Sequence, residues 1–216
     1  MPYFKNDNIN TLFIHIPKTG GSSLECYFSS KFNIKLNNIS LYLFMDNETK
    51  IKNNIIINTS LQHLTYKQII EYKTVFNINF DNIKIITIVR NPYERIISDL
   101  FWLKKINVNS TKEEVFNIIQ PYLLSNDYDN HNIPQYVFIT DDNKELISDI
   151  NILHTETLTD DMIRLGYKDF NLYINVNENK KVDYYNYLNN ESIKIINDFY
   201  HYDFILFDYD QLTNII

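Results

Sequence analysis

The sequence predicts an α/β protein in which helices surround a central parallel sheet. Strand-type and helix-type patterns alternate from the start of the chain, which favours this class. Two short apolar runs, 11–16 and 83–89, each lead into a segment with helix-start signals. No Pro-, Gly- or Ser-rich linker divides the 216 residues. We therefore expect one domain over residues 1–216.

The first half of the chain contains two predicted strands and two predicted helices. Residues 11–16 are an apolar run typical of a buried strand, and residues 22–32 carry apolar side chains at helical spacing. Ile55–Ile57 predicts a second short strand. A capping-box pattern at residues 65–68 predicts a helix through Tyr72.

The second half repeats this alternation. The run at 83–89 is β-branched and long enough for a central strand, and Asn91-Pro92 indicates an N-cap with proline at the first helical position, opening a helix to about Leu103. The remaining predicted elements are a helix from the capping box at 111–114 to about Pro121, strands at 136–140 and 150–154, a helix at 160–165 stopped by Gly166, a helix at 191–200, a terminal apolar segment at 204–207, and loops at 125–134 and 175–181.

Composition excludes several classes of protein. A net charge of −7 argues against broad binding to nucleic acid or to an anionic membrane. The single cysteine, Cys26, excludes an internal disulfide and a Cys-rich metal site, and we expect it to be a buried helix residue. Neither a signal peptide nor a membrane-spanning apolar run is seen, so we expect a soluble cytoplasmic or intracellular protein.

The most informative segment runs from Thr11 to Ser23. An apolar run there meets Lys18, two of the three glycines in the chain and a row of hydroxyls. Adjacent glycines let the backbone turn sharply and approach a ligand closely. Because N–H groups at a helix start bind phosphate-like groups, the segment predicts an anion-binding loop.

This loop differs from the P-loop of magnesium-dependent nucleotidases. Lys18 precedes the glycines, whereas that pattern ends in Gly-Lys followed by Ser or Thr. The predicted strand at 83–89 ends in Arg90 rather than in an acid that would help to hold magnesium. A P-loop kinase or nucleotidase is therefore the least favoured interpretation, and the bound anion is expected to be handled without a metal.

Two motifs resemble those of sulfotransferases that use 3′-phosphoadenosine 5′-phosphosulfate (PAPS). Ile14-His-Ile-Pro-Lys-Thr-Gly-Gly-Ser-Ser23 resembles their 5′-phosphosulfate loop, and Ile88-Val-Arg-Asn-Pro-Tyr-Glu-Arg-Ile-Ile-Ser98 resembles their 3′-phosphate segment. The pairing is most similar to the carbohydrate sulfotransferases that act at the 2-O or 6-O position. Weaker similarity continues through Pro134-Gln135, 156–161 and 203–209. The resemblance implies a P-loop-NTPase-like sulfotransferase fold, with PAPS as the sulfuryl donor.

The resemblance also implies a set of donor-binding residues. Lys18 would contact the 5′-phosphosulfate and act in catalysis, because sulfuryl transfer builds negative charge on the departing phosphate oxygen. The rest of the implied set is the backbone of Thr19, Gly20 and Gly21, the hydroxyls of Ser22 and Ser23, and Arg90 with Ser98 at the 3′-phosphate. The alternatives are a solvated charge for Lys18, an ion pair with Glu94 for Arg90, and a helix-surface role for Ser98.

His63 is the predicted catalytic base. It lies between the two motifs and just before a helix, as does the catalytic histidine of the glycan enzymes that the chain resembles. A neutral imidazole is well matched to accepting a hydroxyl proton at pH 7. Glu25 is the alternative base, because other branches of the superfamily use a carboxylate near that point.

Other polar and aromatic residues carry weaker expectations. His15 is expected to pack in the core or to support the loop. His131 shares a polar segment with Gln135, and either an acceptor-binding role or an ordinary surface loop is open. Tyr184–Tyr187 is expected to pack, with stacking on a sugar or adenine as the alternative, and Asn177–Lys181 corresponds to the family's adenosine-capping loop.

The sequence thus predicts an enzyme that moves a sulfuryl group from PAPS to a hydroxyl acceptor such as a glycan. The acidic chain favours a small or weakly charged acceptor over a heparan-like polyanion. No nucleic-acid partner, metal or membrane span is expected. The alternative function is a catalytically inactive nucleotide-binding or interaction module of the same fold.

Overall fold

The computed structural model describes residues 1–125, 128–171 and 182–213. The chain forms a four-stranded mixed sheet flanked by helices, which confirms the α/β class. The strands, adjacent in the order of their numbers, are β1 (Tyr3–Lys5), β2 (Asn10–Ile14), β3 (Lys84–Val89) and β4 (Ile150–His154). β2, β3 and β4 are parallel as predicted, whereas β1 pairs with β2 in the antiparallel direction.

Helices connect and cover these strands in the described part of the chain. They are α1 (Gly21–Phe32), α2 (Asn47–Lys52), α3 (Tyr66–Glu71), α4 (Pro92–Trp102), α5 (Lys112–Leu124), α6 (Leu158–Arg164), α7 (Asn190–Phe199) and α8 (His201–Leu206). None of the helices in these described ranges is both long and apolar enough to cross a membrane. The predicted loop at 175–181, with its capping segment, lies outside the described residues.

The sheet buries side chains on both of its faces. Along β3, Ile85 and Val89 join one apolar cluster, while Ile86 and Ile88 join another. Successive residues of a strand point to opposite faces, so this division follows from the period of two. The second cluster contains Leu24 of α1 and residues of α6. Burial on both faces explains why the sequence of β3 is a continuous apolar run rather than an alternating one.

A third apolar cluster joins the helices that follow β3. It contains residues of α4, α5, α7 and α8, including Tyr93, Val115, Ile193 and Phe204. Asn91 caps α4 by accepting a hydrogen bond from the backbone N–H of Tyr93 at 3.0 Å, and proline follows at the first helical position as predicted. This cluster holds α4 firmly at the end of β3.

Two predicted strands are wrong. Ile55–Ile57 buries alternate side chains, at 6%, 78% and 1% exposure, but pairs with no strand among the described residues. The segment predicted as a strand at 136–140 begins with a 3₁₀ helix, Gln135–Phe138. Its first N–H groups donate to Asp203, which favours the helical turn over a ladder. In both cases the missing information is the presence of a pairing partner.

Two expectations about helices also need correction. α5 continues through Pro121 to Leu124. At the end of this helix the Asn132 amide donates to the carbonyls of Tyr122 and Ser125. Cys26 is exposed rather than buried. The buried face of α1 repeats at positions 21, 24, 25 and 28, and position 26 lies off that face.

Candidate active site

Three parallel strands end at one edge of the sheet, and the predicted site residues begin there. The Lys18 loop follows β2, Arg90 follows β3, and Thr155 follows β4. The Thr155 hydroxyl contacts the carbonyl oxygens of Thr19 at 2.7 Å and Val89 at 3.0 Å. Ligands of open α/β sheets bind beyond the carboxyl ends of the strands, so this edge is the candidate site.

The loop between β2 and α1 leaves the start of α1 without a side-chain cap. Gly20, the N-cap residue, takes the left-handed conformation at φ +89° and has no side chain to cap the helix. Its carbonyl accepts from the Ser23 N–H at 3.1 Å. Thr19 is fully buried, and its hydroxyl donates back to the carbonyl of Ile16 at 2.8 Å. Ser22 is exposed and Ser23 is buried. An anion at this helix start would meet backbone N–H groups and Ser22.

Gly21 has a different function from Gly20. A Cβ on Gly21 would overlap the imidazole ring of His15, whereas a Cβ on Gly20 would meet only ordinary contacts. The second glycine therefore lets His15 pack against the loop. The expected loop-supporting role of His15 is confirmed by this contact.

Lys18 is a partly buried cation at the mouth of the site. Its Nζ lies 5.4 Å from the centroid of the Trp102 ring. Burial lowers the pKa of Lys18, with Arg90 acting in the same direction and Asp99 against it. Among the described residues Lys18 has no ion-pair partner. Its charge is consequently available to an anion.

Three histidines form a contiguous row, which we call the histidine row. Ring centroids are 5.3 Å apart between His15 and His63, and 4.9 Å apart between His63 and His131. In each ring Nδ1 contacts a carboxylate: His15 with Glu25 at 2.5 Å, His63 with Asp129 at 2.8 Å, and His131 with Asp99 at 2.7 Å. An ionised carboxylate only accepts hydrogen bonds, so each Nδ1 carries a proton, and any of these rings that is neutral has its lone pair on Nε2.

Asp129 is held so that it fixes the orientation of His63. Its two oxygens accept from the Thr59 hydroxyl, from the Ser60 N–H at 2.6 Å, from the Ser60 hydroxyl at 2.8 Å, and from Nδ1 of His63. Although burial acts to raise it, these donors hold the pKa of Asp129 well below its usual range. The carboxylate is therefore ionised and saturated.

His63 is neutral at pH 7. Burial is the largest influence on its pKa, and together with the neighbouring His15 and His131 it lowers that pKa to about 4 despite the opposing effect of Asp129. A neutral ring with Nε2 unprotonated is the form that accepts a proton from a hydroxyl. The geometry thus gives His63 the features of a general base.

Glu25 is poorly placed to be that base. It is 1% exposed and accepts hydrogen bonds from Gln62 at 2.9 Å on both oxygens, besides its contact with His15. Burial acts to raise the pKa of Glu25, but His15 and Gln62 lower it below the usual range. A carboxylate that is buried, bonded and weakly basic has little capacity to take a substrate proton.

His131 lies inside the site rather than on a surface loop. Its Nδ1 bonds to Asp99, which also accepts from the Tyr122 hydroxyl. The imidazole stacks on Trp102 with centroids 4.8 Å apart and an interplanar angle of 18°. The histidine row therefore connects through Trp102 to Lys18.

One group of residues in the described ranges has the composition of a metal site. Ligand atoms of His63, Asp129 and His131 all lie within 4.8 Å of one another. A carboxylate offers about four lone-pair sites, and four donors already contact Asp129. The arrangement therefore fits a hydrogen-bonded network better than a metal centre.

Arg95 connects the two halves of the site. Its buried guanidinium donates to the carbonyl oxygens of Pro17 at 3.0 Å, Ile133 at 2.9 Å and His131 at 2.6 Å. These carbonyls belong to the residue before Lys18 and to the segment that carries His131. A single buried cation thereby fixes the position of both segments.

Arg90 lies just before α4 and lines a cavity of about 240 Å³, whereas Ser98 lies on α4 outside that lining. Arg90 pairs with Glu94 at 2.9 Å, which is the ion pair expected from the sequence as the alternative to phosphate binding. Its guanidinium also lies over the Tyr184 ring, 5.2 Å from the centroid. Residues 90, 94 and 182–185 line the cavity. Ser98 is half-buried one turn beyond Glu94 on the same helix.

Comparisons with protein-family models, with curated proteins and with solved structures each find no match to this chain.

Sequence reasoning missed four residues that complete the site. They are the partners Asp129, Asp99 and Gln62, and the exposed aromatic Trp102. Asp129 lies 66 residues from His63, and Asp99 lies 32 residues from His131. No local sequence pattern predicts such pairs, because they form only when the strand ends and loops come together in the folded chain.

Proposed function

We propose that this protein transfers a sulfuryl group from PAPS to the hydroxyl of a carbohydrate acceptor. The observation that carries the proposal is the continuous path from Lys18 through Trp102 and His131 to His63. It joins an unpaired cation and a neutral base at one edge of the sheet. Two such groups are what in-line transfer between an anionic leaving group and a hydroxyl requires.

The proposed reaction is a single displacement at sulfur. The acceptor hydroxyl gives its proton to Nε2 of His63 as its oxygen forms a bond to sulfur. The bond between sulfur and the 5′-phosphate oxygen breaks, and its electron pair stays on that oxygen. The products are a sulfate ester, adenosine 3′,5′-bisphosphate and a proton on His63. Lys18 stabilises the negative charge that grows on the departing oxygen.

The donor would be held by the loop after β2 and by α4. The uncapped start of α1 offers N–H groups to the 5′-phosphosulfate. Arg90 and Ser98 would hold the 3′-phosphate, with the Glu94 carboxylate giving up its bond to Arg90. Because the Thr19 hydroxyl is turned inward, we assign only its backbone to this cradle.

The test is formation of adenosine 3′,5′-bisphosphate from PAPS by the purified protein in the presence of sugar acceptors. His63→Ala should abolish transfer and retain bisphosphate affinity, because the imidazole contacts the acceptor rather than the nucleotide. Glu25→Gln serves as the comparison and should retain activity if it folds. Transfer that survives in His63→Ala would show that the base is another residue. Nucleotide binding by the native chain without transfer to any acceptor would favour the inactive module.

A further inference from the structure

Trp102 is the exposed aromatic surface of the site. It is the last residue of α4 and the only tryptophan in the chain. Its side chain remains 57% exposed although His131 stacks on it and Nζ of Lys18 lies over the ring, 5.4 Å from its centroid. Large aromatic rings are usually buried, and an exposed one in a polar site offers a flat apolar surface to a ligand.

The carboxylates behind the histidine row disfavour an anionic acceptor. Asp129 contacts Nδ1 of His63, and Asp99 contacts Nδ1 of His131. Arg95 is buried and bonded to carbonyls, so its charge is directed away from the mouth. Lys18 is then the one other cation in the described contacts of the histidine row and Trp102. In the proposed transfer its charge stabilises the donor's leaving group, so it is not available to bind an anionic acceptor.

We propose that Trp102 is the acceptor platform, and that the acceptor presents an uncharged sugar ring to it. This inference rests on the proposed function, and it adds the class of substrate and the residue that selects it. A pyranose ring has an apolar C–H face that covers an indole without removing a charge from water. Its hydroxyls remain free at the ring edge.

The single tryptophan makes a direct test practical, because all indole emission from the protein comes from Trp102. The purified full chain is titrated with the uncharged sugars lactose, maltotriose, chitotriose, xylotriose and mannotriose, and separately with a heparin tetrasaccharide, with and without adenosine 3′,5′-bisphosphate. At least one uncharged sugar should shift the emission and reduce acrylamide quenching about twofold. The heparin tetrasaccharide should leave both unchanged. A response to heparin alone, or to none of the sugars, overturns the proposal.

Variants of Trp102 test whether this residue binds the acceptor or supports the chemical step. In the transfer assay, Trp102→Ala should raise the KM for the sugar at least tenfold with kcat within about threefold, and Trp102→Phe should recover most of the loss. Tyr202→Ala removes a similarly exposed ring from α8 and should change neither constant. A fall in kcat at unchanged KM would instead make Trp102 a support for His131 and Lys18, and would overturn the platform.

Calorimetry with adenosine 3′,5′-bisphosphate distinguishes a failure of this inference from a failure of the proposed sulfotransferase function. If the bisphosphate binds and no uncharged sugar affects Trp102, the platform fails while the sulfotransferase proposal stands. If the sugars protect Trp102 but the bisphosphate does not bind, the sugar site stands and the donor assignment fails. Calorimetric binding of the same sugars to Trp102→Ala with unchanged affinity would also contradict the platform.

Discussion

At His63, burial and a neighbouring carboxylate act in opposite directions. Asp129 favours the protonated ring, whereas burial favours the neutral ring and lowers the pKa of His63 to about 4. The base is therefore deprotonated above that pH. We predict that kcat/KM for transfer is level from pH 6 to pH 8 and falls as the pH approaches 4. A profile with its acidic midpoint near 6.5, the value of a solvated histidine, would contradict this assignment.

Asp129 positions His63 by accepting from its Nδ1. Asp129→Asn places an amide where Thr59, Ser60 and His63 all donate, so the ring loses its orientation and favoured tautomer. Transfer should fall by about 10²–10⁴-fold, the range of a general base, while bisphosphate affinity changes little. Asp142→Asn is the matched control, since Asp142 is exposed and pairs with Lys67. Equal activity of the two variants would remove Asp129 from the mechanism.

Glu94 competes with any anion in the adjacent cavity for the guanidinium of Arg90. Arg90→Ala should weaken bisphosphate binding by about 1.5–3 kcal/mol through loss of a charge-assisted contact. Glu94→Gln should tighten it, because Arg90 loses a competing carboxylate and the site loses a negative charge. Calorimetric titration of both variants measures these opposite changes. Weaker binding in Glu94→Gln would show that the ion pair orients Arg90 for the ligand.

Among the elements, the start of α1 depends on the close approach of Gly21 and His15. Gly21→Ala should lower the free energy of unfolding by about 1–3 kcal/mol, because the new methyl group overlaps the imidazole. The double variant with His15→Ala removes the overlap, so its loss should be smaller than the sum of the single losses. Urea unfolding of the four proteins in this cycle gives the coupling. Additive losses would mean that the ring is not the obstacle.

Elements with local signals were predicted well, and elements that depend on distant partners were not. The capping boxes at 65–68 and 111–114 begin α3 and α5 as predicted, because both halves of each cap lie within one turn. The segment at 55–57 has the burial period of a strand but no pairing partner in the described part of the chain. β1 is three residues long and is defined by its pairing with β2. Strand pairing depends on which segments meet in the folded chain. For this reason the sequence alone did not show that residues 55–57 lack a partner or that β1 forms a strand.

In the whole molecule, the fold brings together several residues that the sequence singled out, but the sequence did not show which carboxylates contact them. Lys18 and Arg90 lie in the two motifs and His63 lies between those motifs, and all three are at the carboxyl edge of the sheet or in the segments beside it. The carboxylates that fix the histidine row come from distant loops and from α4. Their selection depends on the fold, and a single sequence does not reveal which of its acids faces which histidine.

Asp203 links the C-terminal helices to the end of β3. It accepts from the N–H groups of Gln135 and Tyr136, and the Gln135 side chain bonds to both backbone groups of Arg90. Burial raises the pKa of Asp203 to about 6, above its unfolded value. The folded state then binds the proton more tightly between pH 4 and 6, so stability falls as the pH rises through this window.

This linkage is measurable by comparing the native chain with Asp203→Asn. The stability of the native chain relative to the variant should fall by about 2.4 kcal/mol between pH 4 and pH 7, since one pKa unit corresponds to about 1.4 kcal/mol and part of the effect is already lost at pH 4. Urea unfolding at each pH gives this difference. A relative stability that is constant, or that rises with pH, would show that Asp203 is ionised in the folded protein throughout the range.

The central claim is that the edge of the sheet beyond β2 and β3 binds the PAPS nucleotide without a metal. It is tested most directly by calorimetric titration of the native chain with adenosine 3′,5′-bisphosphate in EDTA, beside ATP with magnesium. We predict micromolar binding of the bisphosphate that is weakened by about 1.5–3 kcal/mol in Arg90→Ala and no binding of magnesium-ATP. Failure of the bisphosphate to bind, or a preference for magnesium-ATP, would contradict the sulfotransferase assignment.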